Sequence, residues 1–318
     1  MSDDAEFEIE LEGDKTIPIS RGQSVLDAAL KAGIPHFHAC GGNAECSTCR
    51  ILIKKGVENL TPVNEAEEKL RNTVRLPSNI RLACQTFVTG EPVKVRRIIL
   101  AETDLSFYTK EEINNDVKQL GEKKELVLFF LDIRNFTPFV ESYLPFDVIH
   151  VIRAVHAIFN LKIQQFGGLI IDTAGDGFYA VFGLNTPVSK AADDAINAGD
   201  SISNELKRFN ETYLQPYFGT EFEIGMGVHC GEVIVGEVMV GQKSHLSVMG
   251  LAVNIASRIQ ESTKRLGNCF IVSDDVMKHS SLRKKGKKRT VKLKGIHGTF
   301  RVHLIGQDLK AVPHMSPT

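Results

Sequence analysis

Six consecutive apolar residues, Leu-Val-Leu-Phe-Phe-Leu at 126–131, stand near the middle of the chain. The run is too short to span a membrane and is rich in aromatic residues, which predicts a strand buried on both faces. Asp132 closes this strand. A carboxylate there is costly unless a positive charge meets it, and a divalent cation commonly does so. Taken alone, this aspartate is equally well explained as a turn or cap residue.

A second candidate aspartate follows in the segment 169–182, where Gly-Asp-Gly at 175–177 separates two apolar runs. This pattern predicts a β-hairpin with Asp176 at the tip of its turn. A turn role is again the alternative for one aspartate by itself. With Asp132, and with a polar pair on a later helix, metal binding becomes the favoured interpretation.

Helical and strand periodicities alternate on both sides of this hairpin. They predict a short helix from about 137, a helix over 146–166, the hairpin, a third helix over about 188–210, a strand over 221–229, a hairpin over 232–249 and a helix over 251–260. The order is typical of an α/β sandwich in which helices cover a mixed sheet.

Asn254 and Arg258 are four residues apart on the last of these helices, so their side chains share one face. A guanidinium that is always charged, beside an amide, suits a phosphate and a ribose oxygen. As an isolated pair, a solvated helix face is the simpler explanation.

The first 97 residues have a pattern of their own. Strands are predicted at 7–11 and 16–19, on either side of a Gly-Asp turn, and a helix at 25–32 that Ser24 caps and Gly33 ends. Residues 98–124 then lose strand periodicity, and 109–120 carry a narrow apolar stripe that suits a connector or a dimer helix. We expect domains at 1–97 and 125–306, a helical linker at 98–124 and a tail at 307–318.

Four of the six cysteines, Cys40, Cys46, Cys49 and Cys84, lie in the first 84 residues. Three of them share a glycine-rich loop, whose small residues let the backbone curl around a cluster and point amides at its sulfurs. A single zinc ion is the less favoured alternative, because only one short Cys-x-x-Cys knuckle is present. Since four cysteines complete a cluster, His36 and His38 are expected to be loop or core residues.

The composition indicates the class of protein and the compartment in which we expect it. The chain has 318 residues, a formal net charge of -1 and 42% hydrophobic residues, which is ordinary for a globular protein and gives no support for a nucleic-acid or membrane partner. The N-terminus is acidic, and no apolar stretch approaches the ~20 residues of a transmembrane helix. We therefore expect a cytoplasmic protein, in which clustered cysteines indicate metal binding rather than disulfides.

The N-terminal segment resembles the 2Fe–2S ferredoxins of β-grasp fold. The helix after Ser24, the cysteine loop and Arg-Leu-Ala-Cys-Gln at 81–85 stand where such ferredoxins have them. Five residues separate the first two cysteines, which is similar to the adrenodoxin-like spacing and differs from the plant-type one. The resemblance implies a 2Fe–2S cluster on the four cysteines, with the redox potential and the redox partner left open.

Residues 125–306 resemble the catalytic domain of class III nucleotide cyclases. Phe-Leu-Asp132-Ile133, Gly-Asp176, His-Cys-Gly-Glu-Val at 229–233 and Val-Asn254-Ile-Ala-Ser-Arg258 follow the family's order and spacing. The resemblance implies that Asp132, Asp176 and the Ile133 carbonyl hold two Mg²⁺ or Mn²⁺ ions. Asn254 would orient the ribose, and Arg258 would meet the charge growing on the α-phosphate.

The same resemblance implies a homodimer with active sites in its interface, because in this family the metal carboxylates and the Asn/Arg pair come from different protomers. Lys294 is similar to a family lysine that reaches the β/γ-phosphates, although Ile296 and His297 replace the residues that usually follow. The fold class expected for the chain is α+β, a β-grasp ferredoxin-like domain followed by an α/β sandwich of class III cyclase type.

Base recognition departs from the family pattern. Adenine-specific members carry a lysine four residues before the second metal aspartate and an Asp or Thr shortly before the Asn helix, whereas Asp172 and Ser247 stand there here. A carboxylate accepts well from guanine N1 and N2, so the pair favours GTP by hydrogen-bond logic. Bacterial-looking cyclases with soluble sensor domains more often make cyclic AMP, and ATP is the favoured substrate on that ground.

The function expected is therefore a redox-regulated adenylate cyclase of intracellular signalling, with a guanylate cyclase as the alternative. Two further alternatives stay open. One is an electron carrier whose cyclase-like half is inactive, and the other is a cyclase whose cluster has a structural role only.

Overall fold

The computed structural model describes residues 6–74, 76–98, 121–134, 136–240, 243–282 and 286–309. The chain divides into two compact units. The linker helix expected at 109–120 and the tail from residue 310 lie outside the described residues. In the described part of the chain, no helix is both long enough and apolar enough to cross a membrane.

The N-terminal unit is a five-stranded sheet in the order β2-β1-β5-β3-β4 with two helices. Its elements are β1 (Glu6–Leu11), β2 (Thr16–Ser20), α1 (Val25–Lys31), β3 (Arg50–Lys55), a 3₁₀ turn (Val57–Asn59), α2 (Glu65–Val74), β4 (Ile80–Leu82), a second 3₁₀ turn (Ala83–Gln85) and β5 (Val93–Arg97). Strands β1 and β2 are antiparallel, β1 and β5 parallel, which makes the sheet mixed.

The predicted hairpin and first helix are confirmed. Ile9 lies opposite Ile17 in the β1–β2 pair, and Ser24 Oγ accepts the Asp27 N–H at 3.1 Å as the cap of α1. Helix α2 was not predicted, because its sequence is mostly charged and exposed, and only Leu70 of its apolar residues packs against the core. It is anchored instead by a fully buried carboxylate, Glu67, which bonds the Arg81 guanidinium.

The C-terminal unit holds one eight-stranded sheet with helices on its faces. Its elements are β6 (Glu122–Arg134), α3 (Phe136–Ser142), α4 (Pro145–Gln165), β7 (Leu169–Ala174), β8 (Gly177–Phe182), α5 (Val188–Phe209), a π-helical turn (Asn210–Leu214), α6 (Gln215–Phe218), β9 (Glu223–Val240), β10 (Lys243–Met249), α7 (Leu251–Leu266), β11 (Phe270–Ser273), α8 (Asp274–His279), β12 (Lys287–Val291) and β13 (Phe300–Leu304). The order across the sheet is β12-β13-β11-β9-β6-β8-β7, with β10 beside β9.

Strand β6 lies inside this sheet, between β8 and β9. Phe129 faces Ala180 on one side and Val228 on the other, and 126–129 are fully buried, as the apolar run predicted. Phe130 is only half-buried. The strand is longer than predicted, since antiparallel pairing with β9 continues from Glu122 to Arg134 and stabilises its polar ends. It therefore begins inside the segment expected to be a linker.

Strand β9 corrects a second prediction. A break was expected at Cys230 and Gly231, but the strand runs on, with Val127 opposite Cys230 and Leu126 opposite Gly231. A Cβ at Gly231 would lie 2.9 Å from the Ala252 Cβ. The glycine therefore permits the close approach of α7 to the sheet, and it does not mark a turn.

The sheet is covered on both faces. Helices α4 and α5 pack on one face around Phe129, Phe159 and Phe182, and α7 packs on the other face through Ala252 and Ala256. The third predicted helix ends at Phe209 and continues as the π-helical turn. Strands β11 to β13 had no sequence-based prediction. The carboxyl-terminal end of β6 and the β7–β8 turn remain at the edge of this sandwich.

Candidate functional site

Asp132 and Asp176 meet at the end of the central sheet. Leu131 pairs with Phe178 across β6 and β8, and Ala174 pairs with Gly177 across the predicted hairpin, so the turn that carries Asp176 lies beside the end of β6. A Cβ at Gly177 would lie 2.8 Å from the Leu131 carbonyl oxygen and 3.2 Å from Asp132 Oδ1. Glycine at this position therefore leaves room for the Asp132 carboxylate.

The electrostatics of this pair favour a cation. Burial, the negative charge of Asp176 and a hydrogen bond with Asp176 raise the pKa of Asp132 to about 6, while the cations Arg134 and Lys264 act in the opposite direction. Two carboxylates held together in a partly buried place repel each other until a positive charge is shared between them. Carboxylate oxygens are the donors that Mg²⁺ and Mn²⁺ prefer, so the pair fits these ions.

Arg134 is a neighbour of the site that the sequence patterns did not single out. Its guanidinium is buried, and it donates from Nη2 to Thr263 Oγ1 on α7. Arg134 lies two residues beyond Asp132 on β6, and its positive charge acts to lower the pKa of Asp132. An arginine two residues beyond a strand-end aspartate carries no periodic signal, and only the packing of α7 against β6 brings it into the core.

Ile133 lies between these two residues and its side chain is buried. Because successive side chains of a strand point to opposite faces, this burial turns the neighbouring Asp132 side chain away from the core that Ile133 enters. Ile133 pairs with Ile224 of β9, which holds the backbone of this strand end in the sheet.

Asn254 and Arg258 both lie on α7, as expected. The helix buries Ile255, Ala256 and Ile259, which leaves Asn254 exposed and Arg258 half-buried. Arg258 donates from Nη1 to Glu261, one turn further on. Within the described ranges, no hydrogen bond or ion pair joins Asn254 or Arg258 to the two aspartates.

The remaining predicted residues are more exposed. Asp172 lies on β7 with its carboxylate at the surface, and its Oδ1 accepts the Thr173 N–H at 2.8 Å. Ser247 is half-buried on β10, and Lys294 is exposed three residues after β12 ends. The structure brings none of these three into a hydrogen bond or ion pair with Asp132 among the residues it describes.

In the N-terminal unit, the four cysteines form two pairs of sulfurs. Cys49 Sγ lies 3.5 Å from Cys84 Sγ, although 35 residues separate them. Cys40 and Cys46 form the second pair, in which the Cys46 thiol lowers the pKa of Cys40. Cys46 Sγ also lies 3.1 Å from Thr48 Oγ1. Two sulfurs at each of two places match the needs of a two-iron cluster, in which each iron takes two thiolates.

Backbone amides surround these sulfurs. Burial by itself would raise the pKa of Cys40, but the Cys46 thiol and the N–H groups of Glu45, Gly42 and Asn43 lower it. Such a concave set of amides stabilises the negative charge of a cluster. The loop therefore fits an iron–sulfur cluster, as the spacing of the cysteines predicted.

Hydrogen bonds also stabilise the thiolate form of Cys84. Hydrogen bonds from Cys49, from the Gln85 side chain and from the backbone of Ala44 lower its pKa to about 6. Gln85 Nε2 lies 3.5 Å from Cys84 Sγ and 3.1 Å from the Gly42 carbonyl, so it ties the fourth cysteine to the loop. Gln85 belongs to the motif at 81–85, but the sequence assigned it no role, because a polar residue after a cysteine carries no signal of its direction.

The single-zinc alternative is less consistent with this arrangement. No three of these four sulfurs lie within 4.8 Å of one another among the described residues. A single tetrahedral zinc would bring its four ligand atoms to about 3.3–3.8 Å from one another. His36 is buried and His38 half-buried, with His38 Nδ1 2.7 Å from the His36 carbonyl, as expected for loop and core residues.

Comparison with known proteins identifies both units. The family model of the adenylate and guanylate cyclase catalytic domain matches residues 119–306, more than half of the 318-residue chain. The chain therefore belongs to this family of cyclase catalytic domains. The model of the 2Fe-2S iron-sulfur cluster binding domain matches residues 9–89, so the protein joins a ferredoxin-type domain to a cyclase domain.

The alignments cover only part of each relative's length. An adenylate cyclase from Anabaena cylindrica is 26% identical over 180 residues, which are 56% of this chain and 35% of the relative. A receptor-type guanylate cyclase from Caenorhabditis elegans is 27% identical over 139 residues, 44% of this chain and 12% of the relative. This chain thus spans about a third or less of either relative.

Solved structures support the fold. A guanylyl cyclase crystal structure superposes with a TM-score of 0.54 at 23% identity, and covers 61% of this chain and 97% of its own. The adenylyl cyclase CyaB from P. aeruginosa superposes with a TM-score of 0.52 at 20% identity, and covers 61% of this chain and 98% of its own. These similarities establish the class III cyclase fold of the C-terminal unit and nothing finer.

Proposed function

We propose that this protein is a redox-regulated nucleoside triphosphate cyclase, which converts ATP into cyclic AMP and pyrophosphate in the cytoplasm as an intracellular signal. The observation that carries the proposal is the meeting of Asp132 and Asp176 at the end of the central sheet, inside a cyclase catalytic domain. Their mutual repulsion is relieved by divalent cations. An electron-transfer protein with an inactive second half has no need of this costly pair.

Asp132, Asp176 and the Ile133 carbonyl would hold two Mg²⁺ or Mn²⁺ ions. When bound, such ions supply Lewis-acid stabilisation for the attacking 3′-oxygen and for the leaving pyrophosphate. The 3′-oxygen forms a bond to the α-phosphorus and loses its proton to solvent water, while the bond from the α-phosphorus to the bridging oxygen breaks and pyrophosphate leaves. The aspartates thus hold the substrate's reacting ends in line.

Arg258 would stabilise the charge that grows on the α-phosphate, since a fixed guanidinium is worth most where charge appears only in the transition state. Asn254, one turn earlier on the same face of α7, would hold the ribose through its amide. Lys294 would contact the β- and γ-phosphates as a compact positive charge.

A homodimer would complete the site. Asn254 and Arg258 make no hydrogen bond or ion pair with Asp132 or Asp176 within the described part of one protomer, which is consistent with a site built from two. We propose that each active site takes its carboxylates from one protomer and its Asn/Arg pair from the partner.

Asp172 and Ser247 are proposed to read the base. ATP is favoured because bacterial-looking cyclases with soluble sensor domains more often make cyclic AMP. GTP is the alternative because Asp172 accepts hydrogen bonds that guanine N1 and N2 donate. The matched test is Asp172→Lys, which replaces an acceptor by a donor suited to adenine N1. We expect it to raise the ratio of kcat/KM for ATP over GTP at least tenfold, about 1.4 kcal/mol. An unchanged ratio would remove Asp172 from base recognition.

The 2Fe–2S cluster is proposed to control turnover, with a redox partner that supplies or withdraws one electron. The decisive measurement is anaerobic turnover of cluster-loaded protein with Mn²⁺ and either ATP or GTP, oxidised or reduced by dithionite. Cyclic AMP made at a redox-dependent rate supports the proposal in full, whereas equal rates assign the cluster a structural role.

Two further outcomes of this measurement are informative. Cyclic GMP as the main product would make the protein a guanylate cyclase. No product from either nucleotide would favour an electron carrier with an inactive cyclase domain. Asp132→Ala is the control, and cyclic nucleotide formation that survives this change would refute the two-metal mechanism.

A further inference from the structure

A second group of metal-ligating side chains lies at the other end of β6. Glu125 on β6, Cys230 on β9 and His279 at the end of α8 each offer one ligand atom, and the three atoms lie within 4.8 Å of one another. Glu125 precedes Asp132 by seven residues of strand, which is roughly 23 Å at the usual rise. The group is therefore separate from the carboxylate pair of the proposed active site.

The sheet and one helix hold these donors in place. Val127 lies opposite Cys230 in the β6–β9 pair, and both belong to the core under the helix layer. Because alternate residues of a strand share a face, Glu125 points to the same side as Val127. Helix α8 is anchored in that core through Val276, and it delivers His279 from its last turn.

The distance between the Glu125 and His279 ligand atoms fits one tetrahedral ion. Zinc binds thiolate at about 2.3 Å and imidazole or carboxylate at about 2.0–2.2 Å, which separates neighbouring ligand atoms by about 3.3–3.8 Å. His279 Nε2 lies 3.5 Å from Glu125 Oε1, longer than the about 2.9 Å of an ordinary N–H···O hydrogen bond. Cys230 is 3% exposed, and no hydrogen bond to its sulfur occurs among the described residues.

We propose that Glu125, Cys230 and His279 bind a borderline divalent cation of the Zn²⁺ class, with a water as the fourth ligand. A thiolate and an imidazole select such ions against Mg²⁺, which prefers oxygen donors. Glu125 and a Cys230 thiolate together neutralise two positive charges, and Asp275 is a further acidic group close enough to act on Cys230. The bound ion would tie β6, β9 and α8 together.

Co²⁺ is the probe that tests this site, because cobalt bound by a thiolate gives a charge-transfer absorption that carboxylate sites lack. The titration uses full-length, cluster-loaded protein after chelator treatment, in excess Mg²⁺ to occupy the aspartate pair. We expect one equivalent of Co²⁺ to give this absorption, and one equivalent of Zn²⁺ to remove it. Cys230→Ser should abolish the band, and His279→Gln should weaken Co²⁺ binding at least tenfold.

Cys269→Ser is the matched control, since Cys269 is a half-buried cysteine that does not belong to this group. The sulfur of Cys269 accepts the Gln307 N–H at 3.2 Å. This variant should bind Co²⁺ as the parent does. The visible spectrum of the iron–sulfur cluster is compared among all variants to exclude binding at its cysteines.

No charge-transfer band, or a band that survives Cys230→Ser, would overturn the site and leave an ion pair between Glu125 and His279. If Cys230→Ser does not fold, His279→Gln alone decides, because this residue ends a short helix and is partly exposed. The thermal unfolding temperature of the His279→Gln variant should not change when Zn²⁺ is added, whereas that of the parent protein should rise. Neither result depends on cyclase activity.

Discussion

The carboxyl groups of Asp132 and Asp176 share a hydrogen bond across the end of β6 and the tip of the β7–β8 turn. With burial and the charge of Asp176, this contact raises the pKa of Asp132 to about 6 from its ordinary 3.8. The metal-free protein therefore holds a carboxyl group that folding makes harder to ionise. Stability and function are opposed at this point of the sheet.

Asp132→Asn is expected to stabilise the metal-free protein while it removes turnover. A carboxyl group whose pKa is raised by folding costs no stability below its unfolded pKa of 3.8. The cost grows as the pH rises from there to the folded pKa of about 6, and it is fully present above that pH. The melting temperature with chelator should rise more at about pH 7.5 than at about pH 4.5. Asp172→Asn, at an exposed carboxylate, is the control. The prediction would be contradicted if, at the higher pH, Asp132→Asn melted at a lower temperature than the parent protein.

Gln85→Leu is expected to lower the reduction potential of the cluster. The Gln85 amide donates to Cys84 Sγ, and a donor to a ligand sulfur stabilises the more negative, reduced cluster. Loss of a hydrogen bond worth about 1–1.5 kcal/mol corresponds to a shift on the order of 50 mV for one electron. Dye-coupled titration measures it. Asn43→Ala should not move the potential, because that side chain donates to the Cys40 carbonyl.

Arg258→Ala is expected to lower kcat by roughly 10²–10³ with little change in KM, as for removal of one preorganised transition-state donor. Arg258 also forms an ion pair with Glu261, so the two losses must be separated. Glu261→Gln removes only this exposed pair, which is worth about 0–1 kcal/mol, and should leave kcat within about fivefold. Comparable losses in both variants would show that the ion pair, and not the guanidinium, is what turnover needs.

Arg81→Met is expected to destabilise the N-terminal unit by about 3 kcal/mol, the low end for breaking a buried ion pair. Buried Glu67 loses its closer cation and keeps only Arg71, whose Nη1 lies 3.8 Å from Glu67 Oε1. Arg81 Nε lies 3.0 Å from both Glu67 oxygens, and the Leu82 N–H also donates to Glu67 Oε1 at 2.9 Å. Chemical unfolding followed by loss of cluster colour measures the change.

Lys94→Met is the control for that experiment. It removes an exposed ion pair with Glu10, whose charged atoms lie 2.9 Å apart, and should change stability far less than Arg81→Met does, because solvent screens an exposed pair. Equal effects of the two substitutions would mean that burial does not set the strength of the Glu67–Arg81 pair.

Local chemistry in the sequence was sufficient for the elements that organise both units. The apolar run before Asp132 defined the buried strand, Gly-Asp-Gly defined the hairpin that carries Asp176, and Ser24 defined the start of α1. Each of these signals acts within a few residues, through turn geometry, side-chain alternation or a capping hydrogen bond. For the same reason Asn254 and Arg258 could be assigned to one helix face.

The tertiary structure decided what depends on contacts between distant residues. Pairing along the whole of β6 carried β9 through Gly231, where local propensity predicted a break, and the buried Glu67–Arg81 pair held a helix whose sequence is mostly charged. The grouping of Glu125, Cys230 and His279 has no trace in sequence spacing. The physical reason is the same in each case, since long-range pairing and burial override local preference only once the chain has folded.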